Sequence, residues 1–204
     1  MFSDSIFILQ AVGDPVEHNQ QVGRMECTST RNDDDDRSDV SIIEVQNSVI
    51  KGYHAYKIRP PFTEPPTYLR VDREYSNIKD LNACLVWIPV LSHFKENVHS
   101  MITDAKRLLK LSDVADLPIG HVPRSLAGLF RSVLDGGGEI FAEATGEPIP
   151  SFAPWPAYNE EGGGVVIPAT YFIHAKRNIN VVAFQIKDLV SKVKECTDMT
   201  IVIK

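Results

Sequence analysis

The chain has 204 residues, 43% of them hydrophobic and 24% charged, which are values of a globular protein rather than a disordered or fibrous one. Its formal net charge of −6 is unevenly spread: residues 1–44 hold ten acids and three bases, and the other 160 hold 18 bases and 17 acids. The part expected to fold is therefore near neutral, which excludes long-range steering of nucleic acid by global charge and leaves any anion site to a local cluster.

No apolar run approaches the ~20 residues of a membrane helix. The opening residues carry an acid and no base before a very short apolar run, so no secretory signal is expected. Cys27, Cys84 and Cys196 are far apart, odd in number and form no CxxC pair. That argues against a disulfide framework or a zinc knuckle, and for a reducing, intracellular setting.

Residues 1–40 read as a disordered acidic tail. Its core, Asp33-Asp34-Asp35-Asp36, is self-repelling and poor in apolar residues. A solvated linker is the simplest reading; a mimic of nucleic acid covering the domain's own basic site, or a divalent-cation site, are alternatives. Order is expected from about Ser41, with a domain over 41–176 and a C-terminal extension over 177–204. Residues 41–50 are rich in β-branched side chains and alternate in part, which predicts a strand. Gly52 then permits a bulge or tight bend, with Tyr53, His54, Tyr56 and two lysines around it. Pro60-Pro61 and Pro65-Pro66 mark a loop.

Residues 67–71 read as a strand, 72–79 as a polar loop, and 80–88 as a loop feeding a buried strand. An insertion over 89–118 follows. In it Val98, Met101, Ile102, Ala105, Leu108 and Leu109 recur at helical spacing, predicting an amphipathic helix with Lys106, Arg107 and Lys110 on another face. That basic face is read as solvated, with anion binding as the alternative. Residues 119–122 read as extended. From Pro123 a helix is expected to place Leu126, Leu129, Phe130, Val133 and Leu134 on one face and to stop at Gly136-Gly137-Gly138. Residues 139–146 alternate as a strand, and 147–164 form a Pro- and Gly-broken loop that holds Phe152, Trp155 and Tyr158. Residues 165–175 read as a strand in which Pro168 points to an edge or a bulge. A last helix, capped by Asn178 or Asn180, would turn Val182, Ile186, Leu189, Val190 and Val193 inward, and residues 199–203 look like an added strand.

Four short motifs stand in order along this chain. The first is the Gly52 bend with its aromatic residues. The second is Arg73-Glu74-Tyr75-Ser76-Asn77-Ile78-Lys79-Asp80-Leu81-Asn82-Ala83-Cys84, in which Asp and Asn side chains can cap their own backbone in tight turns; Asp80 and Asn82 would fix that loop. The third is Ile119-Gly120-His121-Val122-Pro123-Arg124-Ser125-Leu126-Ala127. The fourth is the proline-bearing strand Val165-Val166-Ile167-Pro168-Ala169-Thr170-Tyr171. Together they resemble the HIRAN domain, in register at Arg73, Asn77, Asp80, Asn82 and Ala83 and over the Gly-His-x-Pro-Arg-x-Leu-Ala signature. The resemblance covers about residues 45–175.

It implies an α+β domain: a small antiparallel barrel, OB-like or SH3-like, with a packed helix, decorated here by the inserted helix and the C-terminal helix-strand extension. The resemblance further implies a binding module, without catalysis or cofactor, that holds the 3′ end of single-stranded DNA or another nucleic acid in a repair, replication or chromatin context in the nucleus. Carried over by motif, the pocket would draw on His54, Tyr56, Lys79, Asp80 and Arg124, with Phe152 or Trp155 from the late loop. Arg124 stands at a helix start, where backbone N–H groups already favour a phosphate. Two departures matter. His54-Ala55 stands where the DNA-binding pattern has an Arg-Tyr pair, and Lys79 stands where it has a tyrosine. At ~1–3 kcal/mol per stacked base, two lost rings would cost a hundredfold or more in affinity unless Tyr53, Tyr75 or Trp155 compensates. The alternative is a protein-interaction module on the same barrel that has lost the DNA pocket.

Other chemistry is thinly represented. No GxGxxG opens a helix after a strand, and no Walker loop, HExxH or GxSxG occurs. His93 and His99 do not make a metal-ligand spacing with a cysteine or a further histidine, so no metal is expected. His121 is read as a half-buried imidazole bonded to a backbone carbonyl. A hydrolase would need a perturbed acid–base pair in a closed cleft.

Overall fold

A computed structural model describes residues 42–151, 164–176, 179–192 and 199–204. The acidic tail, Phe152, Trp155, Tyr158, Asn178 and Val193 lie outside the described residues. The described elements are β1 (Ile42–Ile50), a single helical turn α1 (Tyr53–Tyr56), β2 (Leu69–Arg73), β3 (Cys84–Trp87), β4 (Ile102–Asp104), β5 (Leu109–Lys110), a second short turn α2 (Leu111–Val114), β6 (Pro118–His121), α3 (Arg124–Asp135), β7 (Glu139–Ala144), β8 (Ile149–Ser151), β9 (Gly164–His174), α4 (Ile179–Lys192) and β10 (Thr200–Ile203).

The strands pair antiparallel in the order β10-β1-β9-β7-β2-β3-β6, with β8 added to the start of β9. The fold class is thus α+β, as expected. The sheet does not close into a barrel. β6 returns to β1 through the single bridge Lys51↔His121, in which each residue donates its N–H to the other's carbonyl at 2.8 Å. The expected barrel, closed or half-closed, is corrected to a curled sheet joined by one residue pair.

β1 shows how sequence sets the inner face. Val45 pairs with Tyr171 and Ser48 with Ala169, so Gln46 and Asn47 together face Thr170. Asn47 takes φ +58, a left-handed conformation that asparagine tolerates better than most residues. The extra residue flips the strand, as a bulge does. Ile43 and Val45 enter the main core before it and Ile50 after it, while Val49 packs separately with Val166 and Ile149. Pro168 lies opposite Val49, next to this bulge. β9 itself is not an edge, because β1 and β7 flank it. Tyr171 is buried, meets Phe130 edge-on at 5.1 Å and donates its hydroxyl to Val49 O at 3.0 Å, so its polar tip is satisfied inside the core.

α3 fills the inner side of the sheet with Leu126, Ala127, Phe130 and Val133, close to the predicted face. Pro123 sits just before the helix rather than in it, and its carbonyl takes the first two bonds, from Leu126 and Ala127. The helix ends where Gly137, at φ +77, and Gly138 bond back to Leu134 and Val133. α4 and β10 occupy the predicted C-terminal places, with Ala183 and Ile186 buried. Asn180 lies within α4, not at its cap. Among the described residues no helix is long and apolar enough to cross a membrane.

The insertion departs most from expectation. There is no amphipathic helix over 98–109. The segment makes two 3-10 turns (Leu91–His93 and Glu96–Val98), the β4–β5 hairpin and α2. The cause is Asp104, whose Oδ1 accepts the N–H groups of Lys106 and Arg107 at 2.9 and 3.2 Å. A side chain that bonds its own downstream backbone offers the chain a turn in place of a helix. Val98, Met101 and Leu109 still pack on the core, whereas Ile102 and Leu108 are 53% and 70% exposed.

Candidate functional site

The first three motifs meet at His121. The end of β1 reaches it first. The Lys51–His121 bridge needs a bare backbone at Gly120, where a Cβ would stand 2.3 Å from Lys51 O and 2.7 Å from Ile50 Cγ2. Gly52, at φ +84, then turns the chain into α1 and brings the Tyr56 ring to 5.6 Å from the His121 ring, tilted by 55°. The predicted bend at Gly52 is therefore a helical turn rather than a bulge. The β2–β3 loop supplies the other partner: His121 Nε2 lies 3.0 Å from Glu74 Oε2. This corrects the expectation of a backbone carbonyl as the imidazole's partner. Burial, and after it the charge of Glu74, push the Tyr56 hydroxyl above its ordinary pKa, so it stays a neutral donor at physiological pH.

The β2–β3 loop is stiffened from within. Asn77 donates to Glu74 Oε2 at 2.7 Å, and its Oδ1 accepts the N–H groups of Lys79 and Asp80 at 3.1 and 3.0 Å. Asp80 Oδ1 accepts the N–H of Asn82 at 2.9 Å. Asn77 and Asp80 are thus the turn formers, whereas Asn82 ties the loop to α3 by accepting from Arg131 at 3.1 Å. Arg73 anchors the base of the loop. It donates to Asp135 Oδ1 at 2.5 Å and to Leu81 O at 2.9 Å, and its guanidinium lies 5.0 Å from the Tyr75 ring centre. Burial would raise the Asp135 pKa, but hydrogen bonds from Arg73 and Arg131, together with their charges, hold it below the usual carboxylate range.

The predicted residues divide accordingly. Tyr56, Lys79, Asp80 and Arg124 sit on the segments that converge at His121. Lys79 and Arg124 are exposed, and neither makes an ion pair among the described residues. Arg131, two turns further along α3, is engaged by Asp135 and Asn82 and is no free cation. His54 is exposed and turns elsewhere, into a depression of about 20 Å³ lined also by Lys51, Gly52, Ser151, Gly164, Val165 and Val166. Phe152 and Trp155 lie outside the described residues. Sequence reasoning gave no role to Glu74; Tyr75, which it offered with Tyr53 and Trp155 as a substitute ring, is the most open ring at the site, 82% exposed. Glu74 had a signal in its place within the second motif, but nothing in the chain announces a partner 47 residues away.

Two larger depressions lie elsewhere, along the proline loop. One of about 270 Å³ includes Pro65, Tyr68, His93 and Phe94, and one of about 380 Å³ includes Phe62, Glu64 and Glu143. Neither contains a predicted site residue. Cys84 is fully buried, and burial pushes its thiol pKa up to about 11, which removes it as a nucleophile.

The arrangement is thus an α+β curled sheet presenting the open Tyr75 ring, the half-buried Tyr56 ring and cations without an ion pair among the described residues, on loops that a hydrogen-bonded frame holds in place. No family model matches the chain, and no curated protein matches it. Among solved structures, the crystal structure of the HIRAN domain of human HLTF is similar, with a TM-score of 0.40 and 16% sequence identity over 73% of this chain and 92% of that one.

Proposed function

We propose that the chain is a non-catalytic nucleic-acid-binding module that takes the 3′ end of a single strand against the surface around His121. The observation that carries the reading is the convergence of α1, the β2–β3 loop and the β6–α3 turn, which leaves Tyr56 and Tyr75 as rings and Lys79 and Arg124 as cations without an ion pair among the described residues. Single-strand binding requires that combination: sequence-tolerant stacking faces and fixed positive charge beside them. The preference for a 3′ end, the choice of DNA and a nuclear repair, replication or chromatin context rest on the motif resemblance alone. The experiment is a fluorescence titration with single strands whose 3′ hydroxyl is free or blocked, with duplex as control. Blocking should weaken binding more than changing the base sequence does. Equal binding of single strands and duplex would refute end recognition.

A second reading has its own observation. Ile78 and Leu81, on the same stiff loop, are 89% and 69% exposed, and Ala55 on α1 is exposed where a stacking ring would be expected. Apolar side chains held open on a rigid loop also suit a protein partner. If no oligonucleotide binds, the protein-interaction module becomes the reading to test.

A further inference from the structure

From the hairpin that replaces the expected helix, we infer that the β4–β5 tip and the end of α1 form a second, phosphate-binding surface for the body of the strand. This inference rests on the reading that the His121 surface takes a strand's end. Arg107 reaches across from the hairpin and donates to Lys57 O at the C-terminal end of α1. Lys57 follows Tyr56 directly and takes φ +55 there, which fixes where α1 stops. The contacts therefore run without a break from His121 to Tyr56, from Lys57 to Arg107, and so to the hairpin.

Asp104 builds the tip. It is buried, it accepts the N–H groups of Lys106 and Arg107, it pairs with Arg107 Nε at 2.8 Å, and it lies 3.9 Å from Arg59 Nε. Its charge is consumed internally, by Arg107 first and Arg59 second; Arg59 is further engaged by Glu147. Lys57, Lys106 and Lys110 are left exposed, with no ion pair among the described residues. Lysines released this way around a preformed turn offer a phosphodiester backbone point charges without sequence reading. That complements a terminal pocket, which can hold only the last nucleotides. An acidic polypeptide is the competing ligand, and it is less favoured because the surface continues from the rings at His121 rather than standing alone.

The test uses the whole chain and labelled oligo-dT of about 4 and about 12 nucleotides, lengths that bracket single-strand site sizes. Wild type should bind the longer strand more tightly. The variant Lys57→Gln/Lys106→Gln/Lys110→Gln should bind the short strand like wild type and lose most of the gain on the long one. The salt slope on the long strand should fall by about 2, at ~0.7 per lost contact, which is roughly a hundredfold in affinity at 0.1 M salt relative to 1 M. The three side chains are exposed and make no ion pair among the described residues, so an unchanged melting curve is expected to accompany the loss. If variant and wild type bind the long strand alike while both bind the short one, the inference is overturned and the end-binding reading stands. If an oligo-Glu peptide of equal charge binds wild type as tightly as the long strand, the assignment to nucleic acid is overturned. If wild type binds neither strand, both readings fall.

Discussion

Replacing Gly120 by alanine tests the frame on which the site depends. The added methyl would stand 2.3 Å from Lys51 O and 2.7 Å from Ile50 Cγ2, where contacts below 3 Å force something to move. The nearest atom is a backbone carbonyl held by the Lys51–His121 bridge, so β1 and β6 must separate by about an ångström to reach ordinary contact. That separation breaks or lengthens the two 2.8 Å bonds of the bridge, at about 0.5–1.5 kcal/mol each, and adds the cost of overpacking, about 1–3 kcal/mol. The expected loss is about 3 kcal/mol, a fall in Tm of roughly 6–12 °C for a chain of this size. Gly128 supplies the opposite sign. It lies within α3 with nothing inside 4 Å of its would-be Cβ, so Gly128→Ala should stabilise by about 1 kcal/mol. Urea melts of the two variants, read by circular dichroism, give both numbers on one axis. A Gly120→Ala protein as stable as wild type would refute the close approach of β1 and β6, and with it the joining of the motifs at His121.

Four further outcomes are expected. Arg124→Ala should leave the melt unchanged, weaken single-strand binding and lower its salt slope by about 0.7–1, as a lost phosphate contact does; an unchanged affinity would remove Arg124 from the interface. Tyr56→Ala should weaken binding by a stacking increment of ~1–3 kcal/mol with little change in salt slope, measured in the same titration. Cys84 should resist iodoacetamide in the native protein at pH 8 and react once unfolded in urea, because the thiol is buried with its pKa near 11; fast native alkylation would contradict its burial. The carboxyls of Asp104, held down first by its hydrogen bond from Arg107, and of Asp135, held down by Arg73 and Arg131 against burial, have folded pKa values below their unfolded ones. Their contribution is present above the ordinary carboxylate pKa and lost as pH falls through the lowered values. An acid titration of stability should therefore show a loss below about pH 4 that is smaller in Asp104→Asn and Asp135→Asn.

The strands were legible because each buried face is written into its own segment. β7 alternates from Glu139 to Glu143 and β9 from Ile167 to His174, and α3 repeats its apolar residues at 3.6 spacing up to the glycines that end it. The insertion was not legible by the same test. Val98, Met101 and Leu109 satisfy a helical period and also satisfy a hairpin that lays them on the core. What decides between the two is Asp104, one carboxylate whose hydrogen bonds to Lys106 and Arg107 outweigh a weak periodicity. The loop at Asn77 shows the same limit at smaller scale. Its turn-forming chemistry was visible, but whether Asn77, Asp80 or Asn82 would do the capping depends on Arg131, from another element, drawing Asn82 away.

The half-closed sheet and the site are one construction. A fully closed barrel would pair β6 along its length with β1 and leave no room for α1 between them. A single bridge at Lys51–His121 stops the pairing after one residue, and Gly52 then turns the chain outward, so that Tyr56 lands on the imidazole it has just passed. The imidazole is held from its far side by Glu74, and Glu74 is held by Asn77, whose remaining oxygen sets the backbone of Lys79 and Asp80. Glu74 thus joins the sheet's closure to the loop's shape. Its removal should loosen Lys79 and Tyr75 while leaving the hydrophobic core intact, because its side chain bonds His121 and Asn77 and is no member of that core. Affinity and stability should separate at this residue, whereas at Gly120 they should fall together.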